Sequence, residues 1–118
     1  MSDCCARSNT LIFACSGGSN VGQISNEAAK RLDQKGCGSF FCLAGVGGDI
    51  AGIVNKSKEA AATIVIDGCD VGCAKAAFDR AGVDISKYIV ITDLGIEKEH
   101  HFELESSQID AVCEAATE

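Results

Sequence analysis

The chain contains no proline, so no proline-rich linker divides it. It has no long apolar run either. The stretch Leu11–Ala14 is far too short to span a bilayer, and Met1-Ser2-Asp3-Cys4-Cys5-Ala6-Arg7 carries no basic, long apolar segment of the secretory kind. Cations are scarce: 17 Asp and Glu face 10 Lys and Arg, a formal charge of −7. Phosphate backbones and anionic membrane surfaces repel such a chain, which argues against nucleic acid and membrane partners. A soluble, cytoplasmic protein is expected. Hydrophobic residues make up 47% and charged ones 23%, a globular composition that argues against disorder.

What is present is one domain's length, 118 residues, so any site is built within a single core. A chain of this size hides about two-thirds of its surface on folding, enough for a core without covalent staples. It nevertheless carries eight cysteines. A secreted mini-protein uses such a count for disulfides. With an adequate core and no export signal, the same residues point to metal binding, redox chemistry, or burial as small apolar groups.

Apolar runs at Thr10–Cys15, Ser39–Ala44, Thr63–Asp67 and Tyr88–Thr92 read as four strands covered on both faces, the first three ending in glycine-rich turns. Between them lie helical stripes. Val21, Ile24, Ala28 and Leu32 form the first, with Asn20 as cap, Gln23 as its capping-box partner and a close near Gly36. Ile50, Ile53, Val54 and Ala60 form a weaker second. Asp70 is placed to cap a third, with Cys73, Ala74, Ala77, Phe78 and Ala81 on one face and Gly82 placed to stop it. A polar stretch from Asp93 to Glu105 precedes a last helix starting at Ser106 or Ser107, with Ile109, Val112, Cys113 and Ala116 inward. The alternation predicts an α/β fold: a three-layer domain over residues 10–118, with a four-stranded parallel sheet in order 2-1-3-4, helices on both faces and right-handed crossovers. Residues 1–9 are expected to be a mobile tail.

Ligands of an open parallel sheet bind outside the carboxyl ends of its strands, where the strand order reverses. Cys15, Cys42 and Cys69 sit at or near three such ends. Strands are spaced about 4.8 Å apart, so the outer two cysteines are about 9.6 Å apart at Cα. A tetrahedral zinc needs sulfurs about 3.8 Å apart, a difference that two inward-leaning side chains close. Cys73 follows Cys69 by one helical turn and supplies a fourth thiol, favoured by the dipole of the helix it starts. The competing reading is burial, since free cysteine is among the most buried residue types. Cys37 and Cys113 read as inert. Cys4 and Cys5 belong to the tail, with the option of joining the site, and His100 and His101 in the last polar loop are either solvated or within its reach.

Cys15-Ser16-Gly17-Gly18-Ser19-Asn20-Val21-Gly22-Gln23, Cys42-Leu43-Ala44-Gly45, and Asp67-Gly68-Cys69 followed by Cys73-Ala74-Lys75 resemble the DGC-domain family of zinc-binding proteins. The resemblance runs from Leu11 through Thr92-Asp93-Leu94-Gly95. It implies zinc ligation by Cys15, Cys42, Cys69 and Cys73, and it implies no particular activity. A proline often follows the family's Asp-Gly-Cys motif, whereas Asp70 stands here, a carboxylate that modestly disfavours a site already rich in negative charge.

The Ser16–Asn20 turn is glycine-rich and precedes a helix, the setting of an anion cradle. It lacks the Lys-Ser/Thr ending of a nucleotide P-loop and departs from the dinucleotide fingerprint, so a tight turn beside Cys15 is its simpler role. Asp67 either hydrogen-bonds neighbouring N–H groups or orients a thiolate ligand. The expected function is a domain that holds one Zn²⁺ through four thiolates, a closed sphere suited to structure, storage or sensing. Iron or an iron–sulfur cluster is the alternative occupant. Whether the chain is an enzyme stays open: Cys69 as a nucleophile in disulfide or persulfide transfer, resolved by Cys73 or Cys15, is the alternative, although the motif is Cys-x-x-x-Cys.

Overall fold

The computed structural model of the chain describes residues 9–118. Four strands, β1 (Thr10–Ala14), β2 (Ser39–Phe40), β3 (Ala62–Asp67) and β4 (Lys87–Val90), pair in parallel in the order β2-β1-β3-β4. Five helices connect and follow them: α1 (Asn20–Gln34), α2 (Leu43–Gly47), α3 (Ala51–Glu59), α4 (Cys73–Ala81) and α5 (Ser106–Thr117).

The alternation of a strand's side chains sends successive residues of β1 to opposite faces. Ile12 and Ala14 join Val21, Ile24, Ala28 and Leu32 of α1 and Ile109 and Val112 of α5 in one cluster. Leu11 and Phe13 join Val65 of β3 and Val46, Val54 and Phe78 of the helices on the opposite face. There Phe13 meets Phe78 edge to face, with ring centroids 4.7 Å apart. All five residues of β1 are buried, which is why it reads as a continuous apolar run. None of the helices among the described residues is long and apolar enough to cross a membrane.

The strand order and the two helical layers agree with the sequence expectation, but several local details do not: the fourth strand, expected to reach Thr92, ends at Val90 and passes into a 3-10 turn at Ile91–Leu94. The second strand stops at Phe40: as an edge strand it pairs with β1 alone, and the chain bends into α2 at Cys42, which becomes that helix's N-cap residue. The second helical stripe, from Ile50 to Ala60, forms α3 with those two residues as its caps, but a short additional helix, α2, occupies Leu43–Gly47, and a turn in which Asp49 has a left-handed φ of 59° separates the two. The third expected helix, α4, starts at Cys73 because an extra turn, closed by Gly72 N–H donating to Cys69 O at 3.2 Å, intervenes.

Candidate functional site

The turns after β1, β2 and β3 carry Cys15, Cys42 and Cys69 to one edge of the sheet, and α4 brings Cys73 to the same edge. All four are free. Cys15 and Cys69 are partly buried, whereas Cys42 and Cys73 are exposed. Cys15, Cys69 and Cys73 line a cavity of about 180 Å³. Cys15, Cys42 and Cys73 line a second, of about 520 Å³, whose remaining walls include Phe40, Phe41 and Leu43. Cys15 and Cys73 therefore belong to both.

Cys15 is held from two sides. Gly68 N–H donates to its Sγ at 3.3 Å, and Sγ lies 3.5 Å from the hydroxyl of fully buried Ser25. That hydroxyl donates to Gly22 O at 2.6 Å and accepts from Ser16 N–H at 3.1 Å, tying the turn to α1. Glycines make the approach possible. A Cβ on Gly22 would lie 2.6 Å from Gly17 C, and one on Gly68 would lie 2.8 Å from Gly22 N, so the turns after β1 and β3 pack backbone to backbone.

Cys73 is placed by Asp67. Gly72 occupies the N-cap position of α4 in a left-handed conformation and offers no side chain. The carboxylate of Asp67, 1% exposed at the end of β3, does the capping from a distance, accepting from Ala74 N–H at 2.8 Å and Lys75 N–H at 3.0 Å. Tyr88 O–H donates to the same carboxylate at 2.6 Å. Burial, then the hydrogen bond to Asp67 and its charge, raise the Tyr88 phenol well above its ordinary range. Asp70, expected to cap, is exposed and outside this arrangement. Because α4 begins at Cys73, Cys69 sits in the preceding turn and the two thiols are not a helical i,i+4 pair, although they share a cavity.

The α1 terminus also differs from expectation. Ser19 is the N-cap, its Oγ accepting from Gly22 N–H at 3.1 Å. Gln23 does not reach back to close a capping box. Its side-chain amide donates to Ser16 O and Gly17 O. The amides of Asn20, Gly22 and Gln23 are all engaged within the protein, so the Ser16–Asn20 segment acts as a braced turn. Asn20, 3% exposed, faces the polar loop before α5: its Nδ2 donates to Glu97 O at 2.8 Å, and its Oδ1 accepts from Glu99 N–H. Lys98, between those two residues, places Nζ 3.4 Å from Cys69 Sγ. Sequence reasoning missed Lys98 because it lies in an aperiodic stretch, where no spacing signals its position.

His100 and His101 line neither cavity. His100 stacks edge to face on Phe102, and His101 Nε2 lies 3.1 Å from Glu99 Oε1. Cys113 is buried, its thiol directed at Ala28 O, and burial raises its pKa. Cys37 is buried in the cluster beneath α1 and is disulfide-bonded, a departure from an inert free thiol. Cys4 and Cys5 lie outside the described residues.

Four free thiols suit zinc or another thiophilic ion in kind. Their placement is open rather than closed: among the described residues, no group of three or more His, Cys, Asp or Glu side chains is gathered so as to hold an ion.

A family model described as the DGC domain matches residues 11–116. The anaerobic and virulence modulator AnvM of Pseudomonas aeruginosa is 32% identical over 100 residues, which cover 85% of this chain and 76% of that protein. No solved structure matches the chain.

Proposed function

The chain belongs to the DGC-domain family, and on that premise we propose that it holds one Zn²⁺ through Cys15, Cys42, Cys69 and Cys73. One observation carries the reading: the four thiols line two cavities at the carboxyl end of the sheet, and Cys15 and Cys73 belong to the walls of both. Binding draws these thiols together. Four thiolates leave no position for a substrate water, which favours a structural, storage or sensing role over hydrolysis. AnvM is named as a modulator, a name in keeping with a sensing role.

Elemental analysis of the purified, reduced protein is expected to give one zinc per chain. Full zinc retention in the Cys15→Ser/Cys69→Ser double variant overturns the assignment. Brown colour in protein purified without oxygen replaces zinc by iron or an iron–sulfur cluster.

A second reading is favoured by the contact of Lys98 with Cys69 and by Cys73 lining the same cavity. It is thiol–disulfide or persulfide exchange, with Cys69 attacking and Cys73 or Cys15 resolving. Alkylation separates the two. Thiols that react only after a chelator is added belong to a metal site, and fast reaction of metal-free protein as isolated belongs to exchange chemistry.

A further inference from the structure

We propose that Lys98 is a built part of the thiol site, a positioning residue that offsets the charge of the metal-bound sulfurs, and that buried Asn20 holds it in place. The inference rests on the metal reading above and names a residue outside the cysteine motifs.

The residues from 95 to 105 form no helix or strand, yet the backbone on either side of Lys98 is fixed. Asn20 takes Glu97 O and Glu99 N–H with its side chain, and its own N–H donates to Glu99 O at 3.0 Å. Ile96, just before this clamp, is buried in the α1–α5 cluster. The loop is thus fastened to the first residue of α1, while the Lys98 side chain crosses to Cys69 in the turn after β3.

Charge explains the crossing. Four thiolates around Zn²⁺ carry two net negative charges, in a chain already at −7. Asp67 adds a buried carboxylate to the wall of the smaller cavity, and Lys98 is the one basic side chain among that cavity's lining residues. Lys30 and Lys75 pair with carboxylates on their own helices. Lys98 forms no such pair among the described residues. Neighbouring Glu99 is taken by His101 instead, which leaves the ammonium for sulfur. A charge-assisted N–H···S contact stabilises a thiolate ligand without occupying a coordination position.

The test titrates the reduced full chain with Co²⁺ and measures Zn²⁺ affinity by competition with a chromophoric chelator. Apo melting temperatures are recorded in parallel. Lys98→Met is expected to lower zinc affinity about 10- to 100-fold, the usual range for a residue supporting a ligand. It should also shift the sulfur-to-cobalt charge-transfer band while leaving the apo melting temperature unchanged. Lys98→Arg retains the charge and should retain most of the affinity. Asn20→Ala should reproduce the loss, and adding it to Lys98→Met should add little further. If Asn20→Ala does not fold, the exposed Lys98 pair decides alone. Wild-type affinity and spectrum in Lys98→Met overturn the inference while the metal reading stands. Wild-type protein that binds neither Co²⁺ nor Zn²⁺ overturns the metal reading and this inference with it.

Discussion

Tyr88 Oη donates to Asp67 Oδ2 at 2.6 Å, and the carboxylate so engaged also accepts from the amides of Ala74 and Lys75 in the first turn of α4. One buried residue at the end of β3 thereby links β4 to the helix that presents Cys73. The pair connects the sheet's interior to the thiol edge.

Tyr88 is the chain's one tyrosine, so its ionisation can be followed directly by ultraviolet absorbance. Its pKa is raised in the fold, chiefly by burial and by Asp67. Both states are neutral below the unfolded value near 10, where the Tyr88 contribution to stability is fully present. Above that pH the unfolded chain ionises first, so stability falls as pH rises towards the folded pKa. Phenolate absorbance of the folded protein should therefore appear only well above pH 10, and Tyr88→Phe should lack this alkaline loss of stability. A folded protein titrating at about pH 10 would contradict the Asp67 contact.

Replacing Asp67 tests the distant cap. Asp67→Asn keeps an acceptor but loses the charge and turns an N–H pair towards one partner, at a cost of about 1–3 kcal/mol in urea unfolding of the reduced apo-protein. Asp70→Asn, at an exposed position that caps nothing, should change stability by less than about 0.5 kcal/mol. Equal effects at the two positions would return the capping role to Asp70.

Gly22→Ala introduces a methyl against the backbone of Gly17, which has no flexible end to move aside. The expected cost is at least about 1–3 kcal/mol, the range for overpacking. Because the displaced turn carries Cys15, zinc affinity should fall as well. Gly18→Ala, whose Cβ meets nothing within 4 Å, is the control and should leave both quantities near wild type.

Metal removal should destabilise the domain without unfolding it. Both core clusters are complete without an ion, and fully buried Phe13, Phe78, Ile12 and Ile24 lie in the layers behind the site. A chelator under reducing conditions should lower the melting temperature while the far-ultraviolet circular dichroism stays mostly native. Complete unfolding would show that the core depends on the ion, and an unchanged melting temperature would show that the four cysteines do not share one.

Apolar patterning along the chain was sufficient to specify the sheet and the neighbourhood of the thiols. Unbroken apolar runs such as Leu11–Ala14 have one good solution, a strand covered on both faces, and alternation with helical stripes imposes parallel order and places strand ends together. That was enough to bring Cys15, Cys42, Cys69 and Cys73 to one edge. Tertiary structure decided what periodicity does not encode. Whether Asn20 or Ser19 caps α1, and whether Asp70 or Asp67 caps α4, depended on which acceptor the packed chain brings near the free amides, in the second case across an intervening turn. Lys98 reaches Cys69 through Asn20, some eighty residues earlier in the chain, because hydrogen bonds between distant segments form only once both are held by the core.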